Sequence, residues 1–329
     1  MAGKIPRTYA EAGVDVVREA KAIKSLISVI DRSGRGNIGF FANVVKVGNI
    51  KLAFTCDGVG TKILVAEAVG KYSTIGIDLV AMNVNDLLCV GAKPLYLLDY
   101  IAVKHPDPEL LKEIGKGLAR GAEQAGIEII GGETATVPEM LSASFDIAGF
   151  CIGAVEDEII DGSGIGENDL ILGLPSSGIH SNGLTLARKV LLAKYDLYDE
   201  LSGEEVWKHL LKPTKIYVPE MLEIIGEFDV KGIAHITGGG FLNLKRLNRN
   251  FDYVIENLPE PQSIFKEIQS IGKISNEEMF KTFNMGIGMV LIAAEKDAKE
   301  IADKFNAVKM GYVKRGSNRI ILKEKKVIL

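Results

Sequence analysis

Thr55-Cys56-Asp57-Gly58-Val59-Gly60-Thr61-Lys62 is followed by Ile75-Gly76-Ile77-Asp78-Leu79-Val80-Ala81-Met82-Asn83-Val84-Asn85-Asp86-Leu87-Leu88-Cys89. In the first stretch a short apolar run, Lys51 to Thr55, reads as a strand that delivers an acid into a glycine turn. Two glycines let backbone approach a ligand closely, and a Thr and a Lys follow at a helix start. That order suits a phosphate with a divalent ion: Asp57 for the metal, the N–H groups of Gly58 and Gly60 with Thr61 and Lys62 for phosphate oxygens. It lacks the spacing of a Walker A loop. The competing reading is a glycine turn with an exposed lysine. The second stretch predicts a helix from Thr74 to Val90. At about 100° per residue, Ile77, Val80, Ala81, Val84, Leu87 and Leu88 share one side, and Asp78, Asn85 and Asp86 share the other. Carboxylates in so apolar a helix must be paired or must face a cation. Mg²⁺ carrying ATP phosphates satisfies that need; a solvated face or a capping network is the alternative.

Outward from this pair, strands are expected at Leu95–Val103, Ile127–Ile130 and Phe145–Val155, with helices at Val16–Ile30 and Asp107–Ala125, the latter opened by prolines and stopped by Gly126. The polar, Gly-rich run from Glu156 to Asp169 marks a boundary, dividing the chain into residues 1–165 and 166–329. Beyond it, strands are expected at Leu170–Leu174, Gly232–Ile236, Gly288–Ala293 and Val308–Val313. Helices are expected at Leu184–Ala193, from Pro213 to Gly226, at Ser263–Ser270 and at Glu277–Phe283. Strands and helices mix without regular alternation, so the fold class is α+β with layered domains rather than a doubly wound sheet. Tyr100, Phe150, Phe241 and Phe283 are read as core.

The chain has 329 residues, enough for two cores, and its net charge of −4 offers no basic stripe for nucleic acid. Three widely spaced cysteines give neither a disulfide framework nor a zinc spacing and fit a reducing, cytoplasmic setting. No apolar run reaches the ~18 residues of a membrane span, and the first residues show no signal-peptide core.

Three further motifs carry polar groups at element ends. Gly131-Gly132-Glu133-Thr134-Ala135 places Glu133 as a third carboxylate, or as an ordinary acid beside a turn. Ser176-Ser177-Gly178-Ile179-His180-Ser181-Asn182-Gly183 is rich in small donors and enters a helix, as anion and sugar-hydroxyl sites do. Its His180 is one of four histidines, and a lone histidine is more often structural than catalytic. His235-Ile236-Thr237-Gly238-Gly239-Gly240 either binds a second phosphate or makes a tight strand–helix junction. No Gly-x-Ser-x-Gly is present, which removes the serine-hydrolase reading.

Taken in order from Tyr9 to Met289, these segments resemble the phosphoribosylformylglycinamidine cyclo-ligase (aminoimidazole ribonucleotide synthetase) family. Also matching are Gly91-Ala92-Lys93-Pro94-Leu95, Pro213-Thr214-Lys215-Ile216-Tyr217 and Thr282 to Met289. The chain departs from the family's usual first-helix pattern at Asp15-Val16-Val17-Arg18-Glu19-Ala20. The resemblance implies an N-terminal domain whose strands join a partner's in an intersubunit β-barrel with flanking helices, and a C-terminal α/β-layered domain. It implies a homodimer, ATP in the cleft between the domains, and ring closure of formylglycinamidine ribonucleotide in purine synthesis. By that resemblance His180 and Asp86 are catalytic and Asp57 and Asp86 hold Mg²⁺. Asp57, Gly58, Gly60, Thr61, Lys62, Asn85, Glu133, Ser177, Asn182 and Gly239 bind the nucleotide. Selenophosphate synthetase and thiamine-monophosphate kinase share the fold. The former usually has a reactive cysteine in the early Gly-rich loop, and residues 31–43 have none. A non-catalytic nucleotide-binding relative would not need the polar residues of all five motifs.

Overall fold

A computed structural model describes residues 5–30 and 39–329. The Gly-rich loop at 31–39 lies outside the described residues except for Gly39. The first half contains α1 (Val16–Ile30), β1 (Asn43–Val47), β2 (Ile50–Gly58), α2 (Ile63–Val69), α3 (Ser73–Leu88), β3 (Lys93–Val103), α4 (Pro108–Ala125), β4 (Glu128–Thr136) and β5 (Phe145–Val155). Its strands form one sheet in the order β1-β2-β5-β3-β4, antiparallel except for the β3–β4 pair. β1 and the far ends of β2 and β4 exceed the sequence expectation, because hairpin and edge strands need not be apolar.

The second half continues with β6 (Leu170–Pro175), α5 (Leu184–Leu191), β7 (Glu200–Leu201), β8 (Glu204–Glu205), α6 (Val206–Leu211), α7 (Val218–Glu227) and β9 (Val230–His235). It ends with β10 (Phe251–Ile255), α8 (Ser263–Gly272), α9 (Asn276–Thr282), β11 (Ile287–Ala293), α10 (Glu295–Phe305), β12 (Val308–Arg315), β13 (Ile320–Leu322) and β14 (Val327–Ile328). Seven strands form a mixed sheet, β14-β13-β10-β12-β6-β11-β9, and β7 and β8 form a small ribbon. Residues 156–169 link the two sheets. Among the described residues no helix is long and apolar enough to cross a membrane.

The helix α3 organises the first half. One side packs on the inward face of β5 and β2, where Gly149 and Gly153 leave room for Asn83 and Leu87. The other side crosses α4 in backbone contact: a Cβ on Gly76 would lie 2.3 Å from the Leu118 nitrogen, and one on Gly117 2.1 Å from the Ser73 oxygen. Glycine at these two positions is therefore a steric requirement. α4 itself is fixed by its cap, with Asp107 accepting from the N–H of Glu109 at 2.9 Å and Gly126 closing the helix at φ 64.

Two expectations are corrected here. Tyr100 and Phe150 are not core. They stand on the outer face of the first sheet, 39% and 49% exposed, beside Phe54, Tyr96 and Ile130. Period-2 alternation sends them away from α3, and an apolar side chain alone does not say which face of a sheet is covered. Phe241 and Phe283 are fully buried. The helix expected from Pro213 begins only at Val218. Residues 213–217 are held out of helix by side chains that capture their backbone: Asp78 accepts from the Thr214 N–H at 2.7 Å and Asn85 from the Tyr217 N–H at 3.0 Å.

Candidate active site

A cavity of about 720 Å³ lies where the two halves meet. Its lining includes Asp57, Asp86, Asn182, Thr237, Gly239 and Arg246. Asp57 comes from the end of β2 and Asp86 from the last turn of α3. Asn182 precedes α5, and the Thr237–Gly239 turn follows β9. The cavity size is in the range of drug-sized ligand sites.

The two acids are held from behind. Asn83, fully buried, clamps the Asp57 backbone, accepting its N–H at 3.1 Å and donating to its carbonyl at 3.2 Å. The Gly58 N–H donates to the Asp57 carboxylate at 2.8 Å. Burial, and then the Asp86 charge, push the Asp57 carboxyl up to about 7, with Gly58 and Arg246 opposing. Asp86 accepts from Nδ1 of the fully buried His235 at 2.8 Å. The Asn85 amide lies 3.5 Å from Nε2 of that ring, and this donor places the imidazole proton on Nδ1. Asn85 also donates to the Lys215 carbonyl at 2.9 Å. His235 opens the motif that the sequence left as either a second phosphate site or a tight strand–helix junction, and its pairing with Asp86 was not expected.

Two sequence expectations change. Lys62 was expected on phosphate oxygens. It is fully buried, its ammonium 2.8 Å from the Asp78 carboxylate and 2.6 Å from the Lys212 carbonyl that accepts from it. Asp78 also accepts from the Thr214 N–H and hydroxyl, each at 2.7 Å, and from Ser181 at 3.1 Å. A lysine so committed stands behind the cleft, joining α3 to the loops of the second half. His180 was expected to be catalytic. It is 1% exposed, in a left-handed conformation (φ 64), and is absent from the cavity lining. Its Nε2 accepts from the Ser177 N–H at 3.1 Å and the Lys215 N–H at 3.5 Å. Burial first, and then neighbouring positive charge such as that of Lys62 and Lys215, holds its pKa well below the ordinary value. Through these two backbone contacts the ring braces the loop, while its buried Nδ1 has no hydrogen-bond partner among the described residues.

The other predicted residues divide in the same way. Asn182 and Gly239 line the cavity, whereas Gly58, Gly60, Thr61, Asn85, Ser177 and Glu133 do not. Thr61 meets Thr185 of α5 hydroxyl to hydroxyl at 2.8 Å, and Ser177 donates to the Pro213 carbonyl at 2.6 Å. Both are contacts within the scaffold. Gly60 opens a 3-10 turn at φ 70. Glu133 is exposed on the edge strand β4, where its carboxylate accepts from the Thr134 N–H at 2.8 Å. Arg246 was not anticipated, since nothing in its local pattern separates it from a surface arginine. The first helix, despite its departure from the family pattern, contributes Val16, Glu19, Ala20 and Ile23 to the lining.

The sequence matches known proteins along both halves. Residues 41–155 match "AIR synthase related protein, N-terminal domain" and residues 166–323 match its C-terminal domain. A phosphoribosylformylglycinamidine cyclo-ligase of Methanocaldococcus jannaschii is 52% identical over 313 residues, covering 91% of this chain and 89% of that one. The chain belongs to the phosphoribosylformylglycinamidine cyclo-ligase family. Another member, from Pyrococcus horikoshii, is 46% identical over 330 residues, with 96% and 98% of the two chains covered. Among solved structures, thiamine monophosphate kinase of Aquifex aeolicus superposes with a TM-score of 0.69 at 17% identity, over 94% of this chain and 98% of that one. Hydrogenase maturation protein HypE in complex with ATP gives 0.63 at 18%, over 83% and 81%. These last two likenesses show the α+β fold that the family shares with them.

The buried position of Lys62 leads to a test. Lys62→Met and Asp78→Asn should each destabilise the protein by about 3–5 kcal/mol, because each strands a buried polar partner. Chemical denaturation measures this. A Lys62→Met protein of wild-type stability that binds ATP poorly would instead restore the phosphate-binding role.

Proposed function

We infer that this chain closes the imidazole ring of formylglycinamidine ribonucleotide to give 5-aminoimidazole ribonucleotide, with ATP converted to ADP and phosphate. It is an ATP-dependent ligase of purine biosynthesis. The observation that carries this reading is identity near one half with named cyclo-ligases over both halves of the chain.

The cleft supports a division of labour. Asp57 and Asp86 are the residues we assign to the phosphoryl end of ATP. Their donor set fits Mg²⁺: two carboxylates share one cavity, and the charge of one raises the pKa of the other, which a cation would relieve. Mg²⁺ commonly binds through one or two carboxylates, with phosphates and water completing its shell. When bound, it would neutralise charge on the phosphates. His235 fixes the Asp86 carboxylate, and Asn83 fixes Asp57, so both acids are oriented before ligand arrives. The Thr237–Gly239 turn and Asn182 offer neutral donors across the cavity. In this reading the formyl oxygen of the substrate attacks the γ-phosphorus and ADP leaves. A substrate nitrogen then attacks the activated carbon, and phosphate departs with the former formyl oxygen. The protein's part is positioning and charge neutralisation.

ATP as ligand is also supported by relatives of the fold: HypE was solved with ATP, and the Aquifex kinase with AMPPCP. The rival is a kinase of the same architecture. It would leave the phosphate on an organic product.

The homodimer is part of the proposal. The outer face of the first sheet exposes Phe54, Tyr96, Tyr100, Ile130 and Phe150, and β1 and β4 are its edges. Contiguous apolar exposure and open edges call for a partner, and a second copy brings the same face. An intersubunit barrel is the arrangement we propose for it.

Two measurements test these statements. Release of ADP and phosphate should require formylglycinamidine ribonucleotide, with selenide and thiamine phosphate inactive, and Asp86→Asn should lower turnover on the order of hundredfold while the fold survives. Turnover with either control alone would refute the assignment. Light scattering should give a dimer at micromolar concentration, converted to monomer by Phe150→Glu. A monomeric parent chain would exclude the paired sheet.

A further inference from the structure

The cleft holds three acids in its lining, Glu19, Asp57 and Asp86, and among the described residues a single lysine or arginine, Arg246. The ligands of the proposed reaction carry several negative charges, so the acids alone make the cavity repellent to them. Arg246 ends the 3-10 turn Gly240–Arg246, which follows the glycine run after β9. That turn is anchored by Asn243, whose buried amide donates to the Gly240 carbonyl at 2.9 Å and the Gly238 carbonyl at 3.1 Å. The guanidinium is placed over the Phe41 ring, 4.8 Å from its centroid, and Phe41 is itself buried. Stacking on a fixed ring orients a planar group and leaves its N–H edge for a ligand. Among the described residues no carboxylate forms an ion pair with it. Its charge lies close enough to Asp57 to oppose the rise in that carboxyl's pKa.

A second, independent feature points to the same kind of ligand. The side-chain nitrogen of Asn182 is buried and has no hydrogen-bond partner among the described residues, yet Asn182 lines this cavity. A buried donor left unpaired is costly, and a bound acceptor removes the cost.

We propose that Arg246, together with the Asn182 amide, binds a phosphoryl group inside the cleft. The inference rests on the ATP-dependent reading above. A planar guanidinium takes two phosphate oxygens at once, and the amide supplies a third contact. Two sources present this chemistry, the γ-phosphoryl group of ATP and the 5′-phosphate of the ribonucleotide substrate. Either would place anionic oxygens against a cation while Asp57 and Asp86 remain for the metal.

Calorimetry on the full-length protein distinguishes them. The probes are a non-hydrolysable ATP analogue against ADP, and formylglycinamidine ribonucleotide against its dephosphorylated riboside. Arg246→Met should weaken the ligand whose phosphate it holds by roughly ten- to hundredfold, with the ligand lacking that phosphate unchanged. Arg246→Lys should recover part of the loss, since the charge returns without the fork. A loss confined to the ATP analogue assigns the γ-phosphoryl group, and one confined to the ribonucleotide assigns the substrate phosphate. Equal affinities for wild type and Arg246→Met on all four ligands overturn the proposal. So does an equal loss on all four, which marks a structural role. A wild-type protein that binds these ligands but does not release ADP would refute the ring-closure reading and leave this one standing.

Discussion

The buried ion pair between Lys62 and Asp78 is where the two halves of the chain are joined. Both side chains are wholly excluded from solvent, and neither can be left there without the other. The Lys212 carbonyl, Ser181 and Thr214, all from the second half, add further hydrogen bonds to the pair. Once α3 is locked in this way, its next turns follow. Asn85 captures the backbone at Lys215 and Tyr217, and Asp86 meets His235 at the end of β9. The cleft is thus framed by a row of polar contacts along one helix. Such networks add little net stability over an apolar interface, but they specify one arrangement.

The same network explains how far the sequence could be read. The helix α1 and the strand β5 were legible at their observed bounds, and α4 from Pro106, Pro108 and Gly126, although Asp107 is its cap rather than its first residue. Asp78 and Asp86 were legible as carboxylates that needed partners, since an apolar helix cannot carry them unpaired. Which partner each took was not. Lys62 and His180 sit in loops rich in glycine and small polar residues, where sequence pattern does not separate a group that faces ligand from one that faces the scaffold. The answer lies in contacts across more than 100 positions of chain, such as the one between Asp78 and Thr214. Arg246 was invisible for the same reason. Its position depends on the Phe41 ring, far away in sequence.

A shared fold with thiamine monophosphate kinase and HypE leaves the reaction open, because fold and chemistry are separable. What separates the proposed ring closure from its kinase rival is what accepts the γ-phosphoryl group. A kinase keeps the phosphate on its product. A cyclase discards it, using the phosphate as a leaving group that removes an oxygen. The residues framing the cavity suit either outcome, since acids, neutral donors and one arginine serve phosphoryl transfer to any oxygen. Identity with named cyclo-ligases supplies what the geometry alone does not.

The central claim is therefore that the formyl oxygen is the acceptor and leaves with phosphate. Formylglycinamidine ribonucleotide labelled with heavy oxygen in its formyl group, turned over with unlabelled ATP and followed by mass spectrometry, tests it directly. The account predicts labelled inorganic phosphate, unlabelled ADP and a ring product without the label. Ring closure accompanied by unlabelled phosphate would contradict it.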